Sequence, residues 1–193
     1  MAFWSDAASA VSQEPKRNFR FTVSIDALQD DSAPGGLVWF AKTCDKPSFT
    51  IETTEHQYLN HTFYYPGAVK WQTVSMQLVD PSNPDAVGLL SSIVQESKYS
   101  PPSTATSLTT MSKGTAVSAL GKVTITQLNA AGENVETWTL HNAFITEAKF
   151  GSLEYGNDDL TTVDLTLQYD WAQCLLTQEA PTSAGGNEFF KMA

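Results

Sequence analysis

Three histidines, His56, His61 and His141, are the side chains best suited to holding a metal or moving a proton. His56 and His61 stand five apart, so on one continuous strand they point to opposite faces, and on a helix they diverge. A zinc pair calls for other spacings and an acidic partner. The pairs Asp30-Asp31 and Asp158-Asp159 suggest calcium, yet neither extends into an alternating Asp/Asn ladder with a distal Glu. Turn propensity accounts for both. Lys113-Gly114-Thr115 and Gly121-Lys122-Val123 echo a phosphate loop only in part: the first lacks the upstream Gly, the second the Ser or Thr after Lys. No G-x-S-x-G elbow and no Cys–His pairing is present. The expectation is a non-enzyme with no catalytic residue, no metal and no cofactor.

The aromatic residues Trp71, Trp138, Tyr169 and Trp171 have Thr, Gln and Asp as neighbours. A single-strand binder would interleave aromatics with Lys or Arg, so these read as core or subunit-interface packing. The charge balance agrees. Eleven basic residues face 21 acidic ones, for a net charge of −10, and no basic run exists to displace counterions from phosphates. Cys44 and Cys174 are too few for a disulfide framework and read as buried reduced thiols. The first residues, MAFWSDAASAVSQEPKR, lack a secretory pattern, and no stretch approaches the roughly 18 apolar residues of a membrane span. A reducing cytosol is the expected place of synthesis.

At 193 residues and 41% hydrophobic content, one domain with extensions is expected. Its body spans residues 17–176, between an N-terminal segment 1–16 and an extension 177–193. Phe3 to Ser12 reads as a short helix. Asn18 to Leu28 reads as a strand with Phe19, Phe21, Val23 and Ile25 inward, followed by a turn from Asp30 to Gly36 and a strand from Leu37 to Thr43. From Phe49 to Pro66 the polarity is too mixed for a core strand, and a long hairpin arm explains it better. Trp71 to Val79 returns to the core through Val74, Met76 and Leu78. One helix is expected from Asn83 as N-cap and Pro84 to about Tyr99, packed on a sheet through Val87, Leu90, Ile93 and Val94. Ser100 to Ser118 reads as a Ser/Thr-rich loop. Leu120 to Leu128 and Val135 to Asn142 form a hairpin around Asn129 to Asn134.

The last strand is the clearest. Val163, Leu165, Leu167, Tyr169 and Trp171 alternate with Asp164, Thr166, Gln168 and Asp170, giving one dry face and one wet face. The wet face holds carboxylates, hydroxyls and amides but no base. The sum is a mainly β fold, an antiparallel sandwich or barrel with one flanking helix, whose sheet edges call for closure or a neighbour.

These segments carry a resemblance. The stretch Ala143 to Trp171, with its Gly151-to-Gly156 link and Asn157-Asp158-Asp159 turn, resembles the end of the tail tube proteins of T4-like contractile phages. Arg17 to Ile25, Phe40 to Phe49, Tyr64-Tyr65-Pro66-Gly67 and Trp71 to Leu78 resemble the earlier strands of that family. The resemblance implies hexameric rings that stack into a hollow tube inside a sheath, with strands of all subunits joined in one barrel. It implies a virion tail location after assembly in the host cytoplasm. The implied partners are further copies of the chain, the sheath, the tape-measure protein, baseplate proteins and phage DNA ejected through the lumen. On that reading Asp164, Thr166, Gln168, Asp170, Thr73, Ser75 and Gln77 face the lumen. Phe49, Ile51, Tyr58, Tyr64, Tyr65 and Pro66 join ring to ring, aided by Phe3 to Pro15. The alternatives are the tube of a contractile injection system, a baseplate tube-initiator, or a monomeric β-sandwich binding module.

Overall fold

The computed structural model describes residues 15–28, 41–81, 85–99, 110–156, 158–176 and 188–189. The expected N-terminal helix, the turn from Asp30 to Gly36, most of the Ser/Thr-rich loop and most of the C-terminal extension lie outside them.

Among the described residues eleven strands form three antiparallel sheets. β1 (Phe21–Ile25), β6 (Val123–Leu128), β7 (Asn134–His141), β10 (Trp171–Leu176) and β11 (Glu188–Phe189) make a five-stranded sheet in the order β1-β6-β7-β10-β11. β2 (Ala41–Cys44), β5 (Val74–Val79), β8 (Phe144–Lys149) and β9 (Thr162–Gln168) make a four-stranded sheet in the order β2-β5-β9-β8. β3 (Phe49–Tyr58) and β4 (His61–Trp71) form a two-stranded sheet, pairing only with each other among the described residues. The core lies between the two larger sheets, where Val23, Ile25, Val123, Ile125 and Leu140 meet Val74, Met76, Leu78, Val163, Leu165 and Leu167. Period-two burial in β5 and β9 follows the sequence alternation.

That alternation continues past the end of its strand. β9 stops at Gln168, and the chain crosses at Tyr169-Asp170 into the other sheet, where Trp171 opens β10 opposite His141. Trp171 is therefore not on the dry face of β9; Ala172 and Cys174 point inward instead. Other boundaries shift likewise. Phe19 sits in a turn before β1 and is largely exposed, and Trp71 ends β4 rather than opening β5. The expected hairpin around residues 129–134 is present. The Asn129 carboxamide oxygen accepts from the Ala131 and Glu133 amides, and Gly132 takes φ +81.

Among the described residues two helices flank the sandwich, where one flanking helix was expected. α1 (Ala86–Glu96) is capped by Asp85, whose Oδ1 accepts from Val87 N–H at 3.0 Å, so the cap is not Asn83. Its buried Leu90 and Ile93 join the core beside α2 (Lys113–Leu120) and the 3₁₀ turn Asp26–Leu28, and not on a sheet face alone. α2 forms inside the stretch read as a loop. Ser112 and Thr115 exchange capping bonds at its start, and Gly121 at φ +70 ends it.

Candidate functional surfaces

The wet face of the four-stranded sheet is built by antiparallel register. Ser75 stands opposite Thr166 and Gln77 opposite Asp164, with the Gln77 amide donating to Asp164 Oδ1 at 2.8 Å. β8 adds Glu147 opposite Thr166 and Lys149 opposite Asp164. Lys149 and Glu147 pair at 3.1 Å. The structure thus brings Asp164, Thr166, Ser75 and Gln77 together, with Gln168 next along β9. Thr73 lies in the short link before β5. The face is polar with both signs of charge, unlike β9 alone, because β8 supplies a lysine. Such a wall offers water many partners and offers a phosphate chain no cluster of cations.

Asp170 has a different place. It sits at the β9–β10 corner, where its carboxylate accepts from Lys113 Nζ at 2.6 and 2.8 Å and from Asn142 at 2.8 Å. Lys113 bonding holds the Asp170 carboxyl below its ordinary range, with Asn142 adding to the effect. The contact ties the first residue of α2 to the corner, so Asp170 positions a helix rather than continuing the wet face of β9.

The β3–β4 hairpin is the second surface. Every residue from Phe49 to Lys70 is exposed. Its base is fixed by tilted ring contacts: Phe49 lies 5.2 Å from Trp71, and Trp71 lies 5.9 Å from the buried Tyr169. A bulge opposite Glu52, at Gly67-Ala68, shifts the register once. Cross-strand partners share a face, so each face can be read from the pairing. One face has its apolar residues at the base: Phe49, Ile51, Val69, Trp71, Pro66 and Tyr64. The other is polar at the base, where Lys70 pairs with Glu52, and aromatic at the tip: His56, Tyr58, His61, Phe63 and Tyr65. The six residues expected to join rings therefore all lie on this hairpin but divide between its faces. Phe49, Ile51, Tyr64 and Pro66 are on one, Tyr58 and Tyr65 on the other.

His56 and His61 share a face, contrary to the reading of one continuous strand, because the turn at Leu59-Asn60 lies between them. Among the described residues no three His, Cys, Asp or Glu side chains gather to hold a metal. His141 stacks on Trp171 with ring centroids 5.3 Å apart.

Glu136 forms the most perturbed acidic cluster, and sequence reasoning missed it. Its carboxylate, 7% exposed, receives Lys16, Lys46 at 2.9 Å and the Trp138 indole N–H. Burial pushes its pKa upward, but these donors overcome that and bring it to about 2. Lys46 also donates to Gln127 at 2.6 Å. The cluster clamps the segment between β2 and β3 onto the five-stranded sheet, beneath the hairpin's base. Burial raises the thiols of Cys44 to about 12 and Cys174 to about 11, with Asp45 and Glu136 adding to the respective effects.

Comparison with solved structures relates this geometry to known assemblies. A chain of the sheath–tube complex of PVC, an extracellular contractile injection system, superposes with a TM-score of 0.61 at 19% identity, covering 90% of this chain and 100% of that one. A chain of the tube-terminating cap of the anti-feeding prophage (AFP) gives a TM-score of 0.62 at 18% identity, covering 92% and 100%. This fold is shared with components of contractile injection systems. A type six secretion system protein gives a TM-score of 0.50 at 8% identity, covering 89% and 91%. No protein-family model matches the chain, and no curated protein matches it in sequence.

Proposed function

We propose that this chain is a structural tube protein of a contractile machine, assembling as hexameric rings that stack into a hollow tube. The observation that carries the reading is the β3–β4 hairpin, exposed on both faces, on a fold shared with contractile injection system components. A lone two-stranded hairpin is marginal in water, and its aromatic surface calls for a neighbour. Among the described residues the edges of the four-stranded sheet, β2 and β8, pair with no further strand, which leaves them for a neighbour. Six such sheets joined edge to edge make a barrel whose wet face, with Asp164, Thr166, Ser75 and Gln77, lines the lumen. The sheath, a tape-measure protein and baseplate proteins are the partners such a tube requires.

The cargo follows from the machine. The sequence resemblance makes it phage DNA on its way to a host. The likeness to AFP and PVC components favours the tube of a contractile injection system. A polar wall without a cationic cluster suits either. Negative-stain microscopy at increasing protein concentration tests the assembly. Rings or tubes of uniform bore are expected. A monodisperse monomer at every concentration, unchanged when preassembled baseplate is added, would favour an isolated β-sandwich module.

A further inference from the structure

On one side the core of the sandwich reaches a hollow of about 500 Å³, lined by Phe19, Phe21, Cys44, Ile125 and Trp138 among others. Phe21, Cys44 and Trp138 pack against the core but are only partly buried, and Phe19 is 75% exposed. The hollow lies between β1 and β2. Among the described residues each of these is the edge of its sheet, so neither side chains nor strand pairing finish the sandwich here.

The rim is basic on a chain whose net charge is −10. Lys42 and Lys46 line the hollow. Lys16 reaches Glu136, the carboxylate that also receives the Trp138 indole N–H. The Gln127 amide, another part of the wall, donates to Arg17 O at 3.4 Å. The Arg20 guanidinium stands 5.3 Å from the centre of the Phe19 ring. These five basic residues are set against Asp45 and Glu136.

We infer that the chain's own residues 1–14 close this hollow, with Phe3 and Trp4 completing the core between β1 and β2. Connectivity brings the segment there, because Lys16 and Arg17, the residues just after it, are bonded to the wall. Its composition complements the site. Phe3, Trp4 and Val11 supply apolar surface, Asp6 and Glu14 supply negative charge, and the segment has no Lys or Arg. Twelve residues separate Trp4 from Lys16, a reach of roughly 18 Å if helical and roughly 40 Å if extended. Other segments are tethered elsewhere. Residues 29–40 follow the far end of β1 and lead back to Ala41, opposite Leu78. β11 holds residues 188–189 at the opposite edge of the five-stranded sheet. The closure needs no second copy, so it holds in the free subunit whether or not the chain builds a tube. Burying two aromatic side chains is favourable, and the acidic residues meet lysine and arginine at the rim.

The test places a photo-cross-linking benzoylphenylalanine at Trp4 in the full chain, mixes it with an isotopically labelled counterpart and irradiates at low and at high protein concentration. Cross-links within one chain, to residues 42–46 or 125–138, are expected at both. Cross-links between chains, as a segment joining rings would give, or cross-links to other residues overturn the inference and leave the tube reading standing. Independently, Phe3→Ala with Trp4→Ala should speed labelling of Cys44 by a disulfide reagent at pH 8 about tenfold or more. Cys174, buried in β10 away from the hollow, should keep its rate, which separates opening of the hollow from unfolding. An unchanged Cys44 rate, or an equal rise at both cysteines, overturns the proposal.

Discussion

Replacing Glu136 by Gln tests whether the clamp beneath the hairpin stabilises the fold through charge. The Glu136 carboxyl falls from its ordinary 4.5 to about 2 in the folded chain. At about 1.4 kcal/mol per tenfold change in proton affinity, that corresponds to about 3 kcal/mol of stability. The ammonium ends of Lys16 and Lys46 are about half exposed, so solvent screening brings the expected figure nearer 2 kcal/mol. The sign is set by the direction of the shift. A carboxyl depressed on folding contributes fully above its unfolded value and loses that contribution as pH falls from about 4.5 to about 2. Urea unfolding of the dissociated chain at pH 7 should therefore place Glu136→Gln about 2 kcal/mol below the parent. The gap should close on approach to pH 2, while other carboxyls titrate alike in both proteins. Parallel stability curves from pH 7 to pH 2 would refute the reasoning and reduce the clamp to ordinary packing.

Other outcomes follow from the same geometry. Leu165→Ala, at the fully buried centre of β9, should cost about 2–5 kcal/mol in denaturant unfolding. Gly151→Ala sets a methyl against Thr162 O in a left-handed backbone and should cost about 1–3 kcal/mol in thermal unfolding. With Cys44 at about 12 and Cys174 at about 11, both thiols should resist a disulfide reagent at pH 8 and react only on unfolding; fast labelling of the native chain would contradict that.

Much of the sandwich was legible because it rests on period two. Val74, Met76 and Leu78 in β5 and Val163, Leu165 and Leu167 in β9 announce a dry face without any tertiary information. The hairpin was legible for the converse reason, since neither of its faces is consistently apolar. The corner at Tyr169-Asp170 was not, because no Gly or Pro marks it and the alternation happens to continue in phase to Trp171. The φ of +55 that shapes the adjoining β7–β8 turn falls on Asn142, where the sequence reading already ends the β7 strand. α2 was hidden by its small, weakly patterned residues, KGTAVSAL; only the Ser112–Thr115 capping pair could have revealed it. The wet face was read strand by strand, so Lys149, brought opposite Asp164 by β8, was invisible. The Glu136 clamp joins Lys16, Lys46 and Trp138 across long sequence separations, and no local pattern encodes that.

The hairpin's exposure also bears on how an assembly of this chain would begin. A free subunit holds twenty or so exposed residues of arm against water. The first few copies to meet must order and desolvate those arms before any of them is fully enclosed. Each later copy meets a docking site already built. If the chain stacks as proposed, growth onto an existing end is favoured over spontaneous initiation, and the number of tubes is set by whatever supplies the first ring. A chain shaped this way can accumulate in solution as unassembled subunits until a seed appears.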